Sequence, residues 1–293
     1  MGATNAVVKE RELRLAFFSE LEPKGWVARG VKPGRLNARV DGFCAYKGQS
    51  GIWVDAGRTR TIGDPGVTVS VLHTGRHYPD DLADNCILYH YPKTTRRGKD
   101  SAEVRATKNA AELGLPLFVI VQIGALRDVH LSWIETWSDE MAQFLIAFAT
   151  SQLPPSVADE GEAEWVKFID RPRKRVEISR RDRDPRFVFR VLERYGAVCA
   201  VCGLEVGGLV DAAHIIPVAD GGSNDPRNGL PLCPTHHRAF DQDAFTINPH
   251  TLEIVTLGVD SLTELRIPRD SIGHLSLHPH HEALAWRWDR LQE

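Results

Sequence analysis

Apolar residues recur along this chain at more than one spacing, and each spacing predicts an element. From Val7 to Leu21, charged and apolar positions alternate with helical periodicity, which predicts an N-terminal helix. A segment rich in Gly, Arg and Val follows, from Gly25 to Pro65. Short runs with strand character come next: VTVSVL from Val67, NCILYHY from Asn85, LFVIVQIG from Leu117 and VHLSWIETW from Val129. Between the second and third of these, SAEVRATKNAAELG (Ser101 to Gly114) has the Ala, Glu and Lys content and the closing glycine of a helix. A further helix is predicted from Asp139 to Thr150, ending at the prolines of SQLPPSVADEGEAE. That Pro-, Ser- and acid-rich stretch marks the expected domain boundary. There is no internal repeat and no long low-complexity segment.

Composition changes this picture little. The chain has 293 residues, is 42% hydrophobic and carries a formal net charge of -3, enough for two cored domains and silent about a nucleic-acid partner. No stretch approaches the roughly 18 apolar residues of a membrane span, and MGATNAVVKERELRL lacks the apolar core of a signal peptide, so a soluble, cytoplasmic protein is expected. Local charge says more. From Arg171 to Arg194 ten Lys or Arg stand against four acids, a net of +6 that can attract phosphates or simply be solvated as an interdomain segment.

Five cysteines in such a chain are expected to be reduced, and their spacing points to a metal. YGAVCAVCGL offers Cys199 and Cys202 as C-x2-C on a tight knuckle. LCPTHHRAFD repeats the interval with Cys233 and His236 about thirty residues later. Two matched pairs predict a tetrahedral structural zinc site rather than buried small side chains and a core histidine.

Between the pairs lies LVDAAHIIPVADGGSNDPRNGLPLC. The series AHIIP, GGSND, NGLPLC and HHRAFD, from Tyr195 to Ile247, resembles the HNH nuclease motif in its zinc-supported form. The resemblance implies a ββα-metal finger around one catalytic divalent cation, Mg2+ or Mn2+. On that reading His214 is the general base, since a neutral imidazole near pH 7 can take a proton from water attacking the phosphate. His237 is the ligand of the catalytic cation. Asn228, by its family position, pins the loop and orients His214. Consecutive helical side chains diverge by about 100°, so adjacent His236 and His237 can serve two different metals. The family often carries an acid immediately before the base histidine. Here that place is Ala213, and Asp211 is the candidate replacement ligand, with a carboxylate at a strand start as the alternative. The cluster of His278, His280 and His281 reads as a solvated approach to a terminal helix.

Further upstream, VSVLHTGRHYPDDLADNCILYHYPKT (Val69 to Thr94) resembles the SRA (SET- and RING-associated) domain, over about Gly30 to Ile123. That resemblance implies a crescent-shaped β-barrel of the PUA-like superfold that flips a modified cytosine out of the duplex. A flipped base needs aromatic faces and a carboxylate that accepts from its exocyclic amine. Tyr78, Asp81 and Tyr91 can supply them, with Asp80 and Tyr89 as the neighbouring alternatives. Strand tyrosines packed in a barrel wall remain the bland reading. Arg96, Arg97 and Lys99, with Arg58 and Arg60 on a second loop, are candidate backbone-phosphate contacts.

The expected architecture is α+β: an SRA-like reader over 1–152, a basic linker over 153–185 and an HNH endonuclease domain over 186–293. The expected activity is modification-dependent cleavage of double-stranded DNA carrying 5-methylcytosine or a relative. The alternatives are an HNH nuclease whose front domain reads a phosphorothioate or an unmodified sequence, and a non-catalytic zinc-binding DNA reader. Because each HNH site handles one strand, a homodimer or sequential nicking is expected.

Overall fold

A computed structural model describes residues 2–38, 42–47, 51–75, 81–94, 98–149, 164–169, 184–206, 208–258 and 261–292. The chain divides into two compact units, Met1–Gly161 and Glu162–Glu293. No helix among the described residues is long and apolar enough to cross a membrane.

The first unit contains α1 (Gly2–Glu20), β1 (Val27–Val31), α2 (Pro33–Asn37), β2 (Ile52–Val54), α3 (Ala56–Thr59), β3 (Thr68–His73), β4 (Asp81–Leu82), β5 (Cys86–His90), α4 (Lys99–Glu112), β6 (Leu117–Ile123), β7 (Leu126–Ser138) and β8 (Gln143–Phe148). Its strands form one mixed sheet in the order β2-β3-β6-β7-β8-β5-β4, with β1 also on β7. Alternation along β6 sorts the core into two layers. Phe118 and Ile120 pack with Phe17 and Phe18 of α1, while Leu117, Val119 and Val121 pack with Ala110 of α4. Burial on both faces explains why LFVIV reads as an unbroken apolar run.

Two expectations are corrected here. The strand order does not close into a barrel among the described residues: its end strands β2 and β4 have three and two residues, too few to complete a closed wall. The segment predicted as a helix from Asp139 is instead a hairpin turn and β8. QFLIAF pairs with β7 on one side and β5 on the other, and Phe144 to Ala147 are buried. An apolar run of that length is ambiguous by period, and its neighbours on both edges decide it.

A buried ion cluster fastens α1 to the sheet. Arg14, fully buried, donates to Glu10 Oε1 at 2.7 Å and to the Thr68 and Pro116 carbonyls at 2.8 and 2.6 Å. Burial lowers its pKa to about 9, against the opposing pull of Asp55. Arg58 joins the cluster by pairing with Glu10 and with Asp55 at 3.3 Å.

The second unit contains α5 (Pro185–Tyr195), β9 (Asp211–His214), β10 (Gly229–Leu232), α6 (Pro234–Asp241), β11 (Phe245–Ile247), β12 (Ile254–Thr256) and α7 (His281–Arg290). Antiparallel β9 and β10 pair from Gly229 with His214 to Leu232 with Asp211, and α6 follows directly: a ββα unit. Its core gathers Ala213, Ile215, Leu230, Leu232, Phe240 and Phe245. Arg287 of α7 locks the C-terminal end of α6. It is buried, bonds the Phe240 carbonyl and Asp243 Oδ1, and lies 3.8 Å over the Phe240 ring.

Candidate active site and metal centres

The zinc-type cluster is built from one knuckle and one helix start. The knuckle closes through Gly203 N–H to the Cys199 carbonyl at 2.8 Å and Cys199 N–H to the Leu204 carbonyl at 2.9 Å, with Gly203 at φ +75°, a conformation a side chain resists. The helix start is Cys233, the N-cap of α6, with Pro234 as its first residue. Ligand atoms of Cys199, Cys202, Cys233 and His236 all lie within 4.8 Å of one another, the one such group found among the described residues. Cys233 Sγ and Cys199 Sγ stand 3.0 and 3.7 Å from His236 Nδ1, and the sulfurs of Cys202 and Cys233 are 4.0 Å apart. Ligands about 2.0–2.3 Å from a tetrahedral zinc would be separated by roughly 3.5–3.8 Å, so the donors fit that ion. His236 Nε2 faces the Leu265 carbonyl at 3.0 Å, which holds the proton there and leaves Nδ1 to the metal. Burial first, then the neighbouring Cys199 and Cys233 sulfurs, push the Cys202 thiol up to about 12. Crowded thiols of this kind ionise together when a cation compensates them.

The loop joining β9 and β10 is organised by Asn228. Its side chain is fully buried; Oδ1 accepts from Ile216 N–H at 2.9 Å, and Nδ2 donates to the Ile216 and Ser223 carbonyls at 3.1 and 2.9 Å. Three bonds from one amide close the loop at its base. Two glycines make room for this: a Cβ on Gly222 would overlap the Ile216 carbonyl, and one on Gly229 would run into Val191 and sit 2.9 Å from the Phe187 ring. Residues 164–169 brace the same loop, with Ile169 N–H bonding the Gly221 carbonyl at 2.9 Å.

At the mouth of the loop, His214 ends β9 and stacks on Phe187 of α5, ring centroids 3.7 Å apart at 14°. Its Nε2 lies 3.2 Å from Asn224 Oδ1, and Asn224 Nδ2 donates to Asp184 Oδ2 at 2.7 Å. His237, on α6, has Nδ1 3.4 Å from Asp211 Oδ2 and Nε2 3.5 Å from Asp241 Oδ2. His237 and Asp211 therefore face each other across 26 residues of sequence. An imidazole that turns one nitrogen to a carboxylate can present the other beside a second carboxylate to a cation, which fits His237 Nδ1 and Asp211 as a ligand pair with Asp241 orienting the ring.

Asn224, Asp184, Phe187 and Asp241 were not singled out from sequence. Asp184-Pro185 does carry the cap-then-proline signal of a helix start, and Asp241 lies one turn after His237. The terminal histidine cluster serves a helix start: His280 caps α7 by accepting from Glu282 N–H and stacks on Trp165 at 4.0 Å.

In the first unit, Tyr78, Asp80, Arg96 and Arg97 lie outside the described residues. Asp81 opens β4, its backbone opposite Leu88. Tyr89 is buried in the wall and donates to the Gly51 carbonyl at 3.0 Å. Tyr91 packs on Phe144 and donates to Asp139 Oδ1 at 2.9 Å; burial and that bond hold its hydroxyl above the usual range. Arg60 is exposed and 3.5 Å from Asp64, and Lys99 pairs with Glu103 at 3.4 Å, whereas Arg58 is engaged in the internal cluster with Glu10.

Residues 199–248 match the HNH endonuclease family. No curated protein matches the chain. Among solved structures it is similar to a modification-dependent TagI restriction endonuclease, at 19% identity and a TM-score of 0.35, covering 92% of this chain and 93% of that one. It is also similar to KRYPTONITE in complex with mCHG DNA and SAH, at 15% identity and 0.28, over 39% and 30%. A third is the Type IV phosphorothioation-dependent restriction endonuclease ScoMcrA, at 13% and 0.24, over 86% and 57%. Likenesses this remote carry no argument about what this chain binds. The chain has an HNH endonuclease domain and is a nuclease.

Proposed function

We propose that this protein is a modification-dependent DNA endonuclease, in which the N-terminal unit reads 5-methylcytosine or a related modified cytosine and the HNH domain hydrolyses the phosphodiester backbone. The observation that carries the hydrolytic half is the ββα unit with His214 at the end of β9, Asn228 closing the loop beside it, and His237 facing Asp211. His214 takes the proton of the attacking water, and Asn228 acts through the loop it holds. His237 and Asp211 would hold a divalent cation, Mg2+ or Mn2+, which when bound would supply positive charge beside the phosphate and the leaving 3′-oxygen. Cys199, Cys202, Cys233 and His236 hold zinc, which staples the knuckle to α6.

The reading of modified cytosine rests on the sequence from Val69 to Thr94, with Asp81 and Tyr91 as pocket candidates and exposed Arg60 and half-buried Lys99 as phosphate contacts. The test is incubation with otherwise identical plasmids carrying cytosine, 5-methylcytosine, 5-hydroxymethylcytosine or phosphorothioate links, with Mg2+ or Mn2+, followed by mapping of the ends. Cleavage confined to the modified-cytosine plasmids is expected. Equal cutting of all four overturns the modification reading, and no cutting of any overturns the nuclease assignment with it.

A further inference from the structure

A carboxylate, an amide and an imidazole stand in line behind the candidate base. Asp184 caps α5, its Oδ1 accepting from Arg186 N–H at 3.0 Å, and its Oδ2 accepts from Asn224 Nδ2 at 2.7 Å. An ionised carboxylate only accepts, so this contact dictates which end of the Asn224 amide is nitrogen. The amide oxygen is thereby turned to His214 Nε2, 3.2 Å away. That oxygen also only accepts, so the nitrogen it meets must carry the ring proton.

We infer that Asn224 is a positioning residue of the hydrolysis: oriented by Asp184, it holds His214 as the Nε2–H tautomer and places the basic lone pair on Nδ1. The inference rests on the reading of His214 as the general base and adds which atom acts and what selects it. The stacked Phe187 ring fixes the plane of the imidazole, and within that plane Nε2 is the nitrogen turned to the Asn224 oxygen. In the step, Nδ1 takes one proton from water as the water oxygen bonds to phosphorus and the P–O3′ bond breaks, its electron pair leaving with the 3′-oxygen, which takes a proton from solvent. The ring becomes doubly protonated and its Nε2–H still donates to Asn224, so nothing behind the base has to rearrange. The three residues come from a helix cap, a loop and a strand end, separated by 40 and 10 positions in sequence.

The test combines kinetics with direct observation of the tautomer. Single-turnover nicking of an enzymatically CpG-methylated supercoiled plasmid in Mn2+ is measured for Asn224→Leu, Asn224→Asp, Asp184→Asn and the exchanged pair Asp184→Asn/Asn224→Asp. Asn224→Leu should slow cleavage about 10- to 100-fold, the range typical of orienting partners, with KM and melting temperature nearly unchanged. Asn224→Asp alone sets two carboxylates against each other and should also be slow. The exchanged pair again has one amide donating to one carboxylate and an acceptor facing Nε2–H, so it should recover most of the rate. Asparagine caps helices as well as aspartate, so α5 keeps its start throughout. Independently, a long-range proton–nitrogen NMR spectrum of histidine-labelled protein, with His214 identified by its loss in His214→Ala, should show the proton on Nε2 in the wild type and a mixture of tautomers in Asn224→Leu. A wild-type Nδ1–H tautomer overturns the inference. So does wild-type cleavage by Asn224→Leu when His214→Ala is inactive, or an exchanged pair no faster than its single variants. Wild-type cleavage by His214→Ala overturns instead the assignment of the base, and the spectrum still decides the tautomer.

Discussion

Adjacent His236 and His237 should fail in different ways when each is replaced by alanine. His236 is buried, its Nδ1 points into the sulfur cluster and its Nε2 is held by the Leu265 carbonyl. A structural zinc contributes apparent binding energy of about 10–16 kcal/mol, so one ligand of four accounts for roughly 2.5–4 kcal/mol. Against a total domain stability of about 5–15 kcal/mol that is a large share. In a unit of this size each kcal/mol moves the midpoint by about 3–5 °C, so His236→Ala should melt about 8–20 °C lower and bind less than one zinc per chain. His237 touches two carboxylates whose side chains are 30% and 59% exposed, and contacts of that kind contribute about 0–1 kcal/mol. His237→Ala should therefore keep its zinc and its melting temperature within a few degrees, while cleavage falls at least about 100-fold, beyond the 10–100-fold loss typical of residues that only orient a ligand. High Mn2+ should restore part of that loss. Zinc stoichiometry measured beside cleavage rate for the two variants decides the matter. If His237→Ala loses the zinc and His236→Ala keeps it, the roles are exchanged; if both variants keep zinc and activity, neither histidine is a ligand.

His214→Ala should bind the methylated plasmid as the wild type does and lose about 10²–10⁴-fold in cleavage, and near-normal cutting would remove it as the base. Asp81→Ala should abolish the preference for methylated over plain plasmid with zinc content intact; unchanged discrimination in this variant and in Asp80→Ala would remove the pocket assignment. Arg287→Met strips partners from the Phe240 carbonyl and Asp243 beneath α6, and should cost about 2 kcal/mol, or roughly 6–10 °C in the melting of the second unit, as followed by calorimetry. An unchanged midpoint would mean that α7 does not secure α6.

What was legible in the sequence was whatever one short element specifies. The C-x2-C and C-x2-H intervals are set by a single knuckle and a single helical turn, so they announce their cluster without the rest of the fold. The strands of the first unit carry their own β-branched and apolar runs, and the helix after residue 98 carries its own composition. Where local pattern is two-valued, tertiary pairing decided: QFLIAF is a strand because β5 and β7 lie on its two edges. Charge is equally undetermined by type. Arg58 reads from sequence like Arg60, yet Glu10, 48 residues away, draws the first into a buried cluster and leaves the second to solvent. The site divides in the same way. His214, Asn228 and His237 follow from motif, whereas Asp211 beside His237, and Asp184 and Asn224 behind His214, meet only because the β9–β10 pair, α5 and α6 fold against one another. A hydrogen bond needs its atoms within about 3 Å and correctly directed, and separation along the chain carries no information about either.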